Sequence, residues 1–558
     1  MTSAPSSPSS APSSSPPPSA RGASSRYDAI IIGGGHNGLI CAAYLARAGR
    51  RVKVVEKRHV LGGAAVSEEV YPGFRYSVCS YVVSLLRPQI IRDLDLPRHG
   101  LEILPLESSF APATTAMFKD KGHRGLVRGP DGEENRREIA HFSPRDAEVY
   151  PQFGKAMGRM ARFVKPIIDM VAPDPTSFSP FELGRLKGLG DKVRGMSDVE
   201  LVRFVKMMTM SSADFLDEWF ESDVLKGPMA VSGIIGTYLG VRSPGTAYVL
   251  LHHYMGEIDG AFRAWGFSKG GTGGISLSIA SAAKAYGADI ETSAGVERVL
   301  LHNGKATGVV LEDGRELRAK VVVSGVDPHR TFLRLVGQDH LPGDFVSDVK
   351  RYRMRGSSGK VNLSLDSLPE FACRPGDGLH IRGDVAIAPS IAYLEKAYDE
   401  AKYGWWSKRP YINVVIPTLT DPSLAPPGKH IISCFVQYAP YALQGGADQW
   451  PKHREAFGDD VVDTLAEYMP GLKEKILHRQ VLTPWDLEQE FGLTEGNIFH
   501  GELSLEQLFF QRPVAGWARY ETPIPNLWMC ASGAHPGGGI MGAPGQLAAL
   551  RLLKERAV

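Results

Sequence analysis

At 558 residues the chain is long enough for several domains, and with 43% hydrophobic residues it reads as globular beyond its first 25 positions. Lys plus Arg number 63 against 61 Asp plus Glu, a net charge of +2, which gives no electrostatic case for nucleic acid or for an anionic membrane. The five cysteines stand far apart in sequence with no C-x-x-C pair, which suits a reducing compartment and excludes a local redox disulfide or a zinc knuckle.

Residues 1–25 are mostly Ser, Pro and Ala, with Arg21 as the one charged side chain. Such a stretch cannot bury a core and reads as a disordered tail. It has no apolar signal core, and a transit peptide normally carries more arginine. The expectation is a cytoplasmic protein, with an organellar matrix as the lesser alternative.

The chain is organised around residues 27–63. The apolar, β-branched run 29–32 reads as a fully buried strand. Gly33, Gly35 and Gly38 follow in G-x-G-x-x-G spacing, with Gly34, His36 and Asn37 between them. Glycine is needed there for a tight turn, for backbone approach to a pyrophosphate, and for close packing of helix on strand. The helix that follows over 39–48 points its N-terminal amides and the positive end of its dipole at the loop. A second strand, 52–55, delivers Glu56 at 18 positions past Gly38. A carboxylate there accepts hydrogen bonds from a ribose and disfavours a 2′-phosphate. Together these features predict a dinucleotide site.

After Glu56 come Lys57 and Arg58, then Gly62, Gly63 and Ala64. The Glu-x5-Gly-Gly pattern resembles the extended fingerprint of FAD-dependent oxidoreductases of the glutathione-reductase-like superfamily. The resemblance implies FAD rather than NAD, with the glycine doublet letting backbone approach the second phosphate.

Further along, 105–138 reads as strands and loops with a polar turn at 129–132. A helical block follows over 143–220, with a capping box at 197–200. Met207, Met208 and Met210 read as core filling, with a lipophilic substrate wall as the alternative. His253 and Glu257, four apart, would share one helix face, but no third ligand is visible and metal is not expected. No stretch reads as a membrane span. Peripheral membrane contact stays open, since it needs only an exposed apolar patch.

Residues 265–274 are glycine-rich and lead into a helix over 275–286. Strands at 289–292, 296–300, 307–312 and 318–323, joined by Asn-Gly and Asp-Gly turns, read as a small meander returning to the nucleotide sheet. Residues 351–513 carry strands at 361–365, 411–416 and 430–438 and a helix around 460–469. These could enclose an apolar substrate. Trp405, Trp406, Trp450 and Trp485 either line that enclosure or belong to the core.

The succession YDAIIIGGGHNGL, VVEKRHVLGGAA, FSKGGTGG and GAHPGGGIMGAPG resembles the phytoene desaturase-like family of flavoproteins. The resemblance runs from about residue 27 to 554. Within it, LLHHYMGE and GLTEGNIFHGELSLEQLFFQRP are similar to a branch named for a pyridine nucleotide-disulfide oxidoreductase domain, although this sequence has no cysteine pair for disulfide chemistry.

The resemblance implies an α/β fold: a Rossmann-like FAD-binding domain of the glutathione-reductase-like superfamily with an inserted α+β substrate domain. The FAD-binding domain would comprise 26–104, 265–345 and 514–558, and the substrate domain 105–264 and 346–513. It also implies that Val296 lies beside the adenine end, and that Gly533, Ile540 and Met541 lie at the ribityl and pyrimidine edge of the flavin. Where related flavoproteins often carry an acid after the equivalent of Gly533, this chain has Ala534.

The implied activity is hydride transfer between flavin and a lipophilic small-molecule substrate, a polyene among the candidates. A non-redox flavin-dependent isomerase and a flavin-binding regulatory protein without turnover are the alternatives. No residue stands out as the catalytic base. His36, His253, Glu257, Lys269 and His535 are candidates only.

Overall fold

In the computed structural model, residues 26–174, 176–258, 261–262 and 265–558 are described. The expected tail, 1–25, lies outside them. Among the described residues two seven-stranded sheets carry the fold.

The first sheet begins with β1 (Tyr27–Ile32), and helix α1 (His36–Arg47) follows directly and leads into β2 (Val52–Val55). β1 lies between β2 and the strand Glu316–Ser324, parallel to both. Asp289–Glu291 extends the sheet beside β2, and Leu527–Met529 pairs in parallel with Glu316–Ser324. The antiparallel strands Val296–His302 and Lys305–Leu311 complete the expected meander.

β1 is buried on both faces, which is why its sequence is a continuous apolar run. Ala29 and Ile31 pack into a core shared with α1, the helix Gly273–Ala285 and the helix Ala543–Lys554. Ile30 and Ile32 face the other way, against the meander and Leu335. At roughly 25 cal/mol per Å² of apolar surface, each such buried isoleucine contributes about 1.5–3 kcal/mol. A charge at any of these positions would break the layer.

The second sheet runs in the order Ile476–Leu482, Ser358–Leu365, His430–Gln437, Tyr411–Val415, Asp384–Ile387, Ser109–Ala111 and Leu126–Arg128. All its pairings are antiparallel except that between Asp384–Ile387 and Ser109–Ala111. One face packs on the helix Trp450–Ala466 through Val361, Leu363, Phe457, Val461 and Leu465. Phe435 and Tyr411 belong instead to the core built by the helical block.

Several sequence expectations are corrected. Residues 105–138 hold the helix Thr115–Lys121 and the start of the helix Gly132–Ala140, because Asp131 accepts from the N–H groups of Glu133 and Glu134. What reads as a turn is a helix cap. The later helix starts at Trp450, ten residues before the expected 460, with Pro451 in its first turn. The helix holding His253 ends at Tyr254, so Glu257 falls on a strand and shares no helix face with it.

Trp406 and Trp450 are core residues, Trp485 packs against the same core and Trp405 is 43% exposed, and none of the four lines the cavity between the two sheets. Met207 is core as expected. The capping box at Ser197 is formed, with Glu200 reaching back to the Ser197 N–H.

The cysteines, though distant in sequence, are not all distant in space. Cys41 on α1 and Cys530 after the strand Leu527–Met529 meet in the core. A hydrogen bond between the two thiols, together with burial, pushes Cys41 well above the ordinary thiol range.

Candidate functional site

A cavity of about 600 Å³ lies between the two sheets. It opens at the carboxyl ends of β1 and β2, where a doubly wound sheet binds ligands, and its far wall includes Lys360 and Phe435 of the second sheet.

At the first end, Gly33, Gly35, His36 and Asn37 line the cavity. α1 starts there with no side-chain cap, so its first-turn amides are left to whatever enters. The spacing of the glycines has a direct physical reading at two positions. A Cβ on Gly38 would run into the carbonyl oxygen of Gly33, whereas a Cβ on Gly35 would meet nothing within 4 Å. The first glycine permits packing and the second leaves the cavity clear.

Glu56, 8% exposed, ends β2 on the cavity wall. Its Oε2 accepts from Gly34 N–H at 2.6 Å and its Oε1 from Arg58 N–H at 2.8 Å. Lys57 and Arg58 also line the cavity. Arg58 is held by Glu68 at 2.9 Å and lies over the ring of Phe491, while Lys57 pairs with Glu312. The Gly62 N–H donates to Gly34 O at 2.9 Å, which brings Gly62, Gly63 and Ala64 into the wall. Val296 lines it from the meander.

Of the C-terminal candidates, Ile540 reaches the wall, together with Ser532, which accepts from Asn37 Nδ2 at 3.1 Å. Gly533 packs on Pro328 and Met541 is in the core; neither they nor Gly34 and Gly38 face the cavity.

Among the catalytic candidates, His36 and His253 line the cavity, and burial pulls each down to about 4, so both rings are neutral near pH 7. His36 Nε2 and Asn37 Oδ1 are buried without hydrogen-bond partners among the described residues. Lys269 sits on the surface with Glu102, Glu257 is bound to Lys165, and the ring nitrogens of buried His535 face the carbonyls of Phe509 and Met170. None of these three lines the cavity.

Sequence reasoning missed three kinds of wall residue. Arg330 and Arg334 reach the cavity from a π-helix, His329–Gly337. Trp265 stacks near His253 with ring planes 12° apart. Lys360 is the third: 3% exposed, its Nζ without a hydrogen-bond partner among the described residues, and 4.0 Å from the centroid of the Tyr81 ring. Burial pushes this amine down to about 7. A lysine inside an apolar strand was the available signal, but an alternating Ser-Lys-Asn-Ser face ordinarily reads as solvated.

Chemically, this part of the wall offers backbone amides, the cations Lys57, Arg58, Arg330 and Arg334, and the carboxylates Glu56, Glu312, Glu488 and Glu490, with Lys57 held by Glu312. The amides and the remaining cations suit a diphosphate, and Glu56 a ribose. The second end is apolar, built around Leu85, Ile235, Trp265 and Phe435, with Lys360 as its charge.

Residues 31–94 match the NAD(P)-binding Rossmann-like domain family. Over 537 residues the chain is 42% identical to pyridine nucleotide-disulfide oxidoreductase domain-containing protein 2 of Rattus norvegicus, covering 94% of this chain and 92% of that protein. It is 25% identical to a neurosporene-forming phytoene desaturase of Cereibacter sphaeroides, covering 93% and 92%. Among solved structures, a redesigned putrescine oxidase superposes with a TM-score of 0.56 at 16% identity, covering 95% of this chain and 99% of that one.

Proposed function

The chain belongs to the family of pyridine nucleotide-disulfide oxidoreductase domain-containing protein 2, and on that premise we propose an FAD-dependent oxidoreductase that moves hydride between the flavin and a lipophilic substrate. The observation that carries the proposal is the continuity of the cavity. One cavity takes in both the wall at the glycine loop and Glu56, which suits phosphate and ribose, and the apolar wall of Leu85, Ile235, Trp265 and Phe435.

The cradle fits FAD on this chain's own atoms. The uncapped amides of α1 and the open space at Gly35 suit a diphosphate. Glu56 would hold the ribose, and Gly62 and Gly63 would offer backbone to the second phosphate. Val296 would flank the adenine, and the segment from Gly533 to Met541 the other end. Lys57, Arg58 and Ala64 would complete the wall.

This reading assigns 26–104, 265–345 and 514–558 to the FAD unit, of glutathione-reductase-like type. It assigns 105–264 and 346–513 to the substrate unit.

When bound, the flavin supplies two-electron chemistry to the substrate, and the protein supplies orientation and electrostatics. The apolar walls exclude water and orient a hydrocarbon. His36 and His253, neutral near pH 7, add no charge to the chamber. The disulfide half of the family name finds little support in the cavity. Cys79 is the cysteine lining it, and burial pushes that thiol up.

A lipophilic substrate has to be collected from a bilayer or a carrier, and the helices Pro180–Arg194 and Asp198–Thr209 carry a suitable surface. Phe178, Leu183, Val193, Val199, Val202 and Val205 are exposed there, with Val202 at 66%, beside the exposed cations Lys187 and Arg203. An apolar stripe flanked by cations suits a membrane interface. Among the described residues no helix is long and apolar enough to cross a membrane. We take the protein to be cytoplasmic with peripheral membrane contact.

Anaerobic titration with NADH and NADPH, followed by visible flavin absorbance, tests the redox reading. Bleaching identifies a reductase fed by nicotinamide, and an unresponsive oxidised flavin an enzyme that takes hydride from its organic substrate. A preparation that cannot be loaded with FAD sinks the proposal.

A further inference from the structure

The strand Ser358–Leu365 has an unusual buried face. Ser358, Lys360, Asn362 and Ser364 alternate along it, and all four are buried. Two of them are satisfied by neighbours. Asn362 donates to Val78 O and Gln480 Oε1 and accepts from Ser433 Oγ, and Ser364 Oγ shares a hydrogen bond with Tyr76 OH. Lys360, on the same face, has no such partner among the described residues, and it reaches the cavity where the wall turns apolar.

A lysine nitrogen has up to three donors and, when charged, no acceptor. Leaving it buried and unpaired is costly, by several kcal/mol for a charged group after relaxation. The Tyr81 ring at 4.0 Å offsets only part of this, since a desolvated cation–π contact is worth about 2 kcal/mol. Lys360 lies over the face of the Tyr81 ring and makes no hydrogen bond to its hydroxyl, which donates to Asn413 Oδ1 at 2.7 Å. What the amine lacks is an acceptor, and the direction in which it lacks one is the cavity.

We propose that Lys360 anchors the carboxylate of an otherwise apolar substrate, making the substrate class a long-chain or polyene acid rather than a neutral hydrocarbon. This rests on the lipophilic reading above and narrows it. A carboxylate brings acceptors only, so it completes the donor set of Lys360 and cancels its charge in one contact. The apolar remainder of the molecule then has the chamber of Leu85, Ile235, Trp265 and Phe435.

The contact carries a pH signature. The titratable side chains acting on Lys360 are Cys79, from the segment that crosses it, and Cys434, from the neighbouring strand. Burial pushes both thiols up, to about 12 for Cys434, so neither ionises near neutrality. On the other side the strand Ile476–Leu482 places Leu482 opposite Lys360. The free amine, held down to about 7, is therefore the group that changes charge between pH 6 and 9.

The probes are cis-parinaric acid, a fluorescent conjugated C18 acid, and its methyl ester, titrated into the full-length FAD-loaded protein. At pH 6 the acid is expected to bind at least about tenfold more tightly than the ester. That preference should fall toward unity by pH 9, while ester binding stays flat. Lys360→Met should bind both probes as the wild type binds the ester.

Acid and ester binding alike at pH 6, or a preference unchanged from pH 6 to 9, overturns the anchor and leaves the lipophilic chamber standing. A preference retained in Lys360→Met overturns it in favour of another cation on the wall. Neither probe binding overturns the lipophilic reading and the anchor with it. The pH series on the wild type needs no variant to fold.

Discussion

Glu56 and Gly34 are joined by a 2.6 Å hydrogen bond, side-chain oxygen to backbone N–H, that ties the end of β2 to the glycine loop after β1. The same carboxylate takes the Arg58 N–H on its other oxygen, so it organises the loop on both sides before any ribose arrives. Hydrogen bonds to a charged group contribute about 1.5–3 kcal/mol each. Glu56→Ala should therefore weaken FAD binding by at least tenfold, with Glu56→Gln intermediate because one of its two terminal atoms still accepts. Flavin fluorescence quenching on titrating apoprotein measures this. Equal affinities for wild type and Glu56→Ala would remove Glu56 from the cradle.

Two alanine substitutions in the same loop should fail in opposite ways. At Gly38 the added Cβ meets the Gly33 carbonyl oxygen, so the helix and strand must separate and the apoprotein loses stability. At Gly35, where φ is −70°, alanine is unstrained and its Cβ points into open space. Gly35→Ala should leave the apoprotein melting temperature within about a degree while lowering FAD affinity by tenfold or more. Gly38→Ala should lower the apoprotein melting temperature by several degrees, on the order of 2–4 °C per kcal/mol in a chain of a few hundred residues. If both variants melt like the wild type, the packing argument for Gly38 falls.

How much of this was legible follows from where the determinants sit. The nucleotide half is local: strand, glycine turn, helix, strand and acid fall within about 30 residues, and each glycine has a backbone reason to be there. The substrate half is assembled by contacts between remote segments. Lys360, Asn362 and Ser364 spell a solvent-facing strand, and only the crossing of residues 76–81 turns that face inward. Arg330 and Arg334 were invisible for a similar reason, since nothing in their own sequence announces a π-helix aimed at the cavity. The meeting of Cys41 and Cys530 required α1 and the last parallel strand to be neighbours, a fact of topology rather than of spacing.

The exposed valines of the helix Asp198–Thr209 should govern membrane contact. Val199, Val202 and Val205 recur at threefold spacing along it and are each more than half exposed among the described residues. Val202→Asp combined with Val205→Asp should reduce co-sedimentation with anionic phospholipid vesicles several-fold, with no loss of thermal stability or bound flavin. Unchanged sedimentation would assign this surface to something other than a bilayer.

Lys53, on β2, lies between Asp289 and Glu291 at 2.9 and 2.7 Å. Both carboxyls are lowered: burial opposes the shift at Asp289, but the hydrogen bonds and charge of Lys53 prevail there, and they lead at Glu291. A depressed carboxyl contributes stability that is present above its unfolded value, near 4, and is lost as pH falls through the folded value. With the carboxyls half-exposed the gain is at most about 1 kcal/mol. Asp289→Asn should lower stability at pH 7 by that order and converge with the wild type below about pH 3. Denaturant unfolding at both pH values checks the sign, and a constant offset would assign the effect to packing.

Lys360 should give the same sign of pH dependence in a different window, but its removal should stabilise rather than destabilise the protein at pH 7. Its folded value, about 7, lies below the ordinary lysine value near 10.4, so between the two the unfolded chain holds a proton that the folded chain does not. Stability therefore rises with pH across that interval, by up to about 1.4 kcal/mol per pH unit from this one group. Lys360→Met keeps the chain length and removes the titration. The variant should be more stable than the wild type at pH 7, and its advantage should shrink steadily toward pH 10. Thermal unfolding of the apoprotein at pH 7, 8 and 9 reads this directly. A difference that does not change with pH would mean the amine keeps its proton on folding, and then a partner for it must exist in the free protein.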